Sequence, residues 1–190
     1  MNKKSIALFA SGNGSNALNI IRYFKNHETI AVTVLVCNKA DAPVVQNTLD
    51  LGVEVIVMEN EAFESGLTLL QELDYRSIDW IVLAGFLRKI PVNIIRGYAD
   101  RIINIHPSLL PKFGGQGMYG MHVHKAVIAE KELISGISVH FVNEEFDQGK
   151  IIEQITLSVP EQISAEELAK AIQELEHLHF PRIVEQTIHS

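Results

Sequence analysis

The chain has a single cysteine, Cys37, among its 190 residues, so it forms no internal disulfide. That scarcity fits a reducing compartment, and the expected location is the cytoplasm. Long apolar runs are also missing. No stretch approaches the ~18 residues a membrane helix needs, and the first apolar run ends at Ala10, too short for a signal-peptide core. No membrane partner is expected. Positive charge is in short supply: 16 Lys and Arg stand against 23 Asp and Glu, a net charge of −7. Such a chain is poorly suited to holding a long phosphate backbone, which disfavours nucleic acid but leaves room for a local site for one phosphate. Internal repeats, low-complexity tracts, a cysteine cluster and a Gly-Lys-Ser/Thr phosphate motif are absent too.

What remains is ordinary globular material, 47% hydrophobic and 21% charged, of a length that suits one domain over residues 1–190. Strand-length apolar runs alternate with helical patterns. Strands are expected at 5–10, 29–36, 53–57, 79–84 and 101–105, and helices after 16, at 43–51 and at 60–73. Near-continuous apolar strands separated by helices imply a parallel sheet covered on both faces. The last part changes character. Residues 138–142 and 151–159 read as strands whose short connector has no room for a crossover helix, so they pair antiparallel. A final helix starts at Ser164 with a capping box to Glu167 and runs to about residue 179, with Pro181 expected to kink or end it. The fold class is α/β: a single-domain, Rossmann-like, doubly wound, mostly parallel sheet with an antiparallel C-terminal edge. Ligands in such sheets bind beyond the carboxyl ends of the strands.

Three stretches carry the chemistry. SGNGSN at 11–16 follows the first strand and opens the first helix. Gly12 and Gly14 permit a tight turn, Ser15 or Asn16 can cap the helix, and the exposed N–H groups favour an anion. Gly12, Gly14 and Ala17 match a dinucleotide fingerprint, but the second strand ends in Cys37, Asn38 and Lys39 instead of an acidic residue, so a single phosphate is the better reading. NIHPSLLP at 104–111 puts Asn104 and His106 on one face of a strand end, and Pro107 holds His106 extended. An imidazole can move a proton near neutral pH, and an amide can donate to a developing oxyanion. FDQGK at 146–150 puts Asp147 on the last connector, beside that edge, where its carboxylate is expected to orient His106 and raise its pKa. The pairs His122–His124 and His177–His179 raise a metal question, but no cysteine cluster accompanies them and no metal site is expected.

SGNGSN, CNKADA (37–42), VLAGFLRKI (82–90), NIHPSLLP, SVHFV (138–142) and FDQGK together resemble the phosphoribosylglycinamide formyltransferase family, from about residue 5 to about 185. The resemblance implies formyl transfer from the co-substrate 10-formyltetrahydrofolate to the amine of glycinamide ribonucleotide, without a metal, by a monomer or homodimer. It implies a phosphate-binding half over about 1–100 and a catalytic, folate-site half over about 101–190. It makes Asn104, His106 and Asp147 the catalytic trio, with His106 acting protonated. Gly12, Asn13, Gly14, Ser15 and Asn16 would hold the substrate phosphate, and Glu176 would meet the glycinamide end. Leu87, Arg88, Lys89 and Ile90 would line the folate pocket with Asn143 and Asp147, and His140 and His122 are further candidates. Two departures stand out: the glycine-rich loop 114–121 is longer than the family's usual link, and Gly66 stands where some members carry arginine.

Overall fold

The computed structural model describes residues 3–58 and 60–190, with the side chains of 60–62 not described; the reading of the extreme N-terminus therefore includes Met1 and Asn2, outside the described residues. A seven-stranded sheet runs β3-β2-β1-β4-β5-β6-β7. Its strands are β1 (Lys4–Ala10), β2 (Ile30–Cys37), β3 (Glu54–Val57), β4 (Trp80–Leu83), β5 (Ile102–His106), β6 (Ile134–Phe141) and β7 (Ile151–Ser158). The first five are parallel, while β5–β6 and β6–β7 are antiparallel. The helices are α1 (Ser15–Phe24), α2 (Pro43–Asp50), α3 (Asn60–Ser65), α4 (Leu67–Tyr75), α5 (Val92–Gly97), α6 (Met121–Ala129) and α7 (Ala165–His189).

Strand alternation divides the core in two. On β1, Ile6, Leu8 and Ala10 join α1, α6 and α7 on one face, through Ile20, Phe24, Val127 and Phe180. Ala7 and Phe9 join α3, α4 and α5 on the other, through Phe63, Leu69 and Ile94. Fully burying a Leu or Phe of this kind contributes about 1.5–3 kcal/mol, so the central strands carry the sheet.

The structure differs from the sequence expectations in four places. The helix expected over 60–73 is two helices, broken at Gly66, whose φ of +64 starts α4. A Cβ there would lie 2.3 Å from Asn93 Oδ1, so the position is committed to a turn, and an arginine has no place in it. The helices α5 and α6 were not anticipated; α5 is only six residues long, and α6 begins at the last residue of the 114–121 loop. The strand β6 begins four residues before the expected 138, and Gly136 fits there because its missing Cβ leaves room for the Ile155 carbonyl. Finally, α7 does not stop near 179. It continues through Pro181 to His189. A proline leaves the carbonyl one turn earlier without its helical partner. Here that carbonyl, His177 C=O, accepts from Asn19 Nδ2 at 2.8 Å, and Pro181 itself is buried.

Candidate active site

Strand order reverses at β1 and β4, and the loops leaving these two strands are joined. Ser11 N–H donates to the Gly85 carbonyl at 3.2 Å, and Leu87 N–H donates to Ser11 Oγ at 2.9 Å. A cavity of about 870 Å³ opens beyond these carboxyl ends, as the switch-point rule anticipates. Its wall includes Asn13, Asn16, Leu87, Arg88, Lys89, Ile90, Asn104, His106, His140, Asn143, Asp147 and Glu176.

Asn104 and His106 sit at the end of β5, paired across the sheet with His140 and Ser138. His140 Nδ1 lies 2.8 Å from the Phe141 carbonyl, so it carries the proton there. In the neutral ring its Nε2 is then an acceptor, and Asn104 Nδ2 donates to it at 3.0 Å. This fixes the Asn104 amide and leaves its second N–H free to donate. His106 Nε2 lies 2.7 Å from the Phe113 carbonyl and therefore also carries a proton.

Asp147 reaches the same place from the β6–β7 connector. Its backbone is left-handed (φ 54), which Asp tolerates, and its Oδ2 accepts from Gly115 N–H at 2.8 Å. It stands 3.6 Å from His106 Nδ1 through Oδ2 and 3.6 Å from His140 Nε2 through Oδ1. Those are electrostatic contacts, too long for hydrogen bonds. Burial alone would raise the Asp147 pKa, but His140, His106 and the Gly115 N–H outweigh it and hold the carboxyl below its ordinary value. For His106 the balance goes the other way. Burial pushes its pKa down, and the Asp147 charge and the Phe113 carbonyl oppose that without reversing it. The Asp147 carboxylate thus raises the His106 pKa as expected, but burial outweighs it and the balance favours a neutral His106.

At the other end of the cavity the glycine loop meets α7. Gly14 caps α1 with φ +66, and a Cβ on it would lie 2.0 Å from Val44 Cγ2. Its glycine character serves the turn and the packing of α2. Gly12 accepts from Val44 N–H at 3.2 Å. Neither Ser15 nor Asn16 caps α1, as the sequence had suggested; both reach α7 instead. Gln173 Nε2 donates to Ser15 Oγ at 2.9 Å, and Asn16 Nδ2 donates to Glu176 Oε2 at 2.8 Å. Burial raises the Glu176 pKa, and the Asn16 bond only partly offsets it. The first-turn N–H groups of α1 have no helical partner, a geometry that can attract an anion.

The third wall is formed by 86–90 and the 143–147 turn. Lys89 Nζ lies 5.5 Å from the Phe146 ring centre, Arg88 pairs with Glu64 at 3.0 Å, and Asn143 Oδ1 accepts from Glu145 N–H at 3.0 Å. Residues 115–121 of the glycine-rich loop complete the lining.

Of the residues singled out from sequence, Gly12, Gly14 and Ser15 support the loop from outside the cavity wall. His122 is exposed and meets the Tyr119 ring edge-on, with ring centres 5.3 Å apart. Its neighbour His124, buried and lining the cavity, was passed over, as were Lys170 and Gln173 on α7. Helical spacing of Lys170, Gln173 and Glu176 was the signal available for the last two. Among the described residues, no three His, Cys, Asp or Glu side chains are placed to hold a metal ion, and no helix is long and apolar enough to cross a membrane.

Known proteins share this architecture. The family model described as formyl transferase matches residues 4–184. A chloroplastic phosphoribosylglycinamide formyltransferase of Vigna unguiculata is 42% identical over 96% of this chain, and that of Bacillus subtilis is 33% identical over 97% of this chain and 95% of its own length. The chain spans 60% of the Vigna protein and 64% of its Arabidopsis thaliana counterpart. A crystal structure of phosphoribosylglycinamide formyltransferase from Bacillus halodurans superposes with a TM-score of 0.89 at 33% identity, covering 97% of this chain and 95% of the other. A match over nearly the whole length, with relatives above 30% identity covering almost all of the chain, places this protein in the formyl transferase family.

Proposed function

We propose that this protein transfers the formyl group of 10-formyltetrahydrofolate to the amine of glycinamide ribonucleotide, as a step of purine synthesis in the cytoplasm. The family implies a folate-type formyl donor. The observation that carries the reading is the convergence of Asn104, His106 and Asp147 in one cavity, between Asn13 and Asn16 of the glycine loop and the 86–90 wall. The N-terminal half supplies the phosphate loop and the C-terminal half the reacting groups. The phosphate sits at the start of α1, against Lys170 and Gln173. Glu176 faces the glycinamide end, and the folate lies against 87–90 and Asn143.

The amine attacks the formyl carbon, and the carbonyl electron pair moves to oxygen. Asn104, oriented by His140, donates its free N–H to that oxyanion. His106 rests neutral and takes up the proton that the amine loses on attack, with Asp147 3.6 Å away to stabilise the positive charge. That proton then passes to the folate nitrogen through water ordered by Asp147. The bond from carbon to that nitrogen then breaks, releasing tetrahydrofolate and the formamide. Holding both substrates in one cleft contributes much of the rate.

The test is an acceptor panel with purified protein and 10-formyltetrahydrofolate. Glycinamide ribonucleotide is expected to be formylated far faster than an amino sugar, a free amino acid or methionyl-tRNA. Preference for any of those overturns the substrate assignment.

A further inference from the structure

His124 has no role in the account above, yet its position is unusual. It lies on α6, only 5% exposed, on the cavity wall beside the reacting groups. Its Nδ1 is buried without a hydrogen-bond partner, and no side chain or carbonyl among the described residues bonds to the ring. Buried polar groups are nearly always partnered, so a cavity-lining ring that nothing in the protein holds points to a partner supplied by a ligand. A buried N–H without an acceptor is rarer than a buried acceptor without a donor. The neutral ring therefore leaves Nδ1 bare and carries its proton on Nε2, the nitrogen left to meet the cavity.

We infer that His124 is a hydrogen-bond donor, through Nε2–H, to an oxygen of the phosphorylated amine substrate. The inference rests on the function proposed above and adds a specificity residue to it. The side of the cavity follows from packing. The helix α6 lies against α7, which holds Gln173 to Ser15 and Glu176 to Asn16. His124 thus belongs with the glycine loop and α7, opposite the 87–90 wall assigned to the folate. A donor buried among apolar neighbours such as Val123 and Val127 discriminates strongly, because a substrate lacking the oxygen would leave it unpaired.

The test compares His124→Leu, which removes the donor, with His124→Gln, whose amide N–H reaches about as far as Nε2. Initial rates with glycinamide ribonucleotide and 10-formyltetrahydrofolate are measured for both, together with thermal unfolding. The Leu variant is expected to raise KM for the ribonucleotide about tenfold, the effect of losing one good hydrogen bond. KM for the folate and Tm should stay near wild type, and the Gln variant should recover most of the loss. An unchanged KM in the Leu variant, equal impairment of both variants, or a loss that tracks a fall in Tm overturns the inference. Calorimetric titration with the ribonucleotide alone separates the two claims. Tight binding by the wild type, about tenfold weaker in the Leu variant and restored by Gln, supports His124 even if no formyl group is transferred. A wild type that does not bind the ribonucleotide overturns both.

Discussion

Asn16, in the first turn of α1, donates to Glu176 of α7 across 2.8 Å, although the two are 160 positions apart in the chain. The bond ties a local glycine loop to α7 at one end of the cavity. It also holds a carboxylate whose burial raises its pKa. Glu176→Gln keeps the shape and removes the charge. The expected result is a ribonucleotide KM raised roughly tenfold, with an undiminished Tm, because a buried carboxylate contributes little to folding. Steady-state kinetics and a melting curve check both halves.

Lys170 lines the cavity one turn before Gln173, and no ion pair holds it among the described residues. As the counter-charge for a phosphate, it should give a salt-dependent contribution. Lys170→Met is expected to raise the ribonucleotide KM several-fold at low ionic strength, and the difference from wild type should shrink as salt is added. A salt-independent difference would remove Lys170 from the phosphate site.

Acid should weaken the fold. Burial lowers the pKa of both His106 and His124 from an ordinary 6.5, so below that value the unfolded chain binds protons the folded chain refuses. Stability therefore falls as pH drops from 6.5 toward the lowered values. Asp147 works in the same direction at lower pH, since its depressed pKa gives stability that is lost as the carboxylate protonates. Glu176 works in the opposite sense, above 4.5. Tm is expected to be lower at pH 5.5 than at 7.5, with a smaller drop in His124→Gln. A Tm that is flat or rises over that interval contradicts the burial argument.

The continuity of α7 through Pro181 depends on a partner for the His177 carbonyl. Asn19→Ala removes it and should cost about 1–2 kcal/mol, a typical loss for a buried group left unpaired. Chemical denaturation gives the number directly, and a cost near zero would mean that water substitutes freely.

Much of this was legible in the residues. Apolar runs located all seven strands, the short 143–150 connector located the antiparallel edge, and Ser164 with Glu167 located the start of α7, where the capping box forms. Two-residue alternation alone puts Asn104 and His106 on one face of β5. What stayed hidden depended on distant partners. Pro181 reads as a helix end until Asn19 is seen to satisfy His177. Asn16 reads as a cap until Glu176 arrives from the far end of the chain. His122 and His124 are equivalent in sequence, and only the packing of α6 on α7 buries one and exposes the other. The pKa of His106 turns on how completely the site is enclosed, which no spacing encodes.

The central claim is that His106 and Asp147 act together on a formyl group. It is tested most directly by following formation of tetrahydrofolate from 10-formyltetrahydrofolate and glycinamide ribonucleotide, for the wild type and for His106→Ala purified in folded form. The account predicts stoichiometric transfer by the wild type and a turnover reduced at least ~100-fold in the variant, the usual contribution of a positioned acid–base group. A folded wild type that transfers nothing, or a folded His106→Ala protein with near-normal turnover, would contradict it.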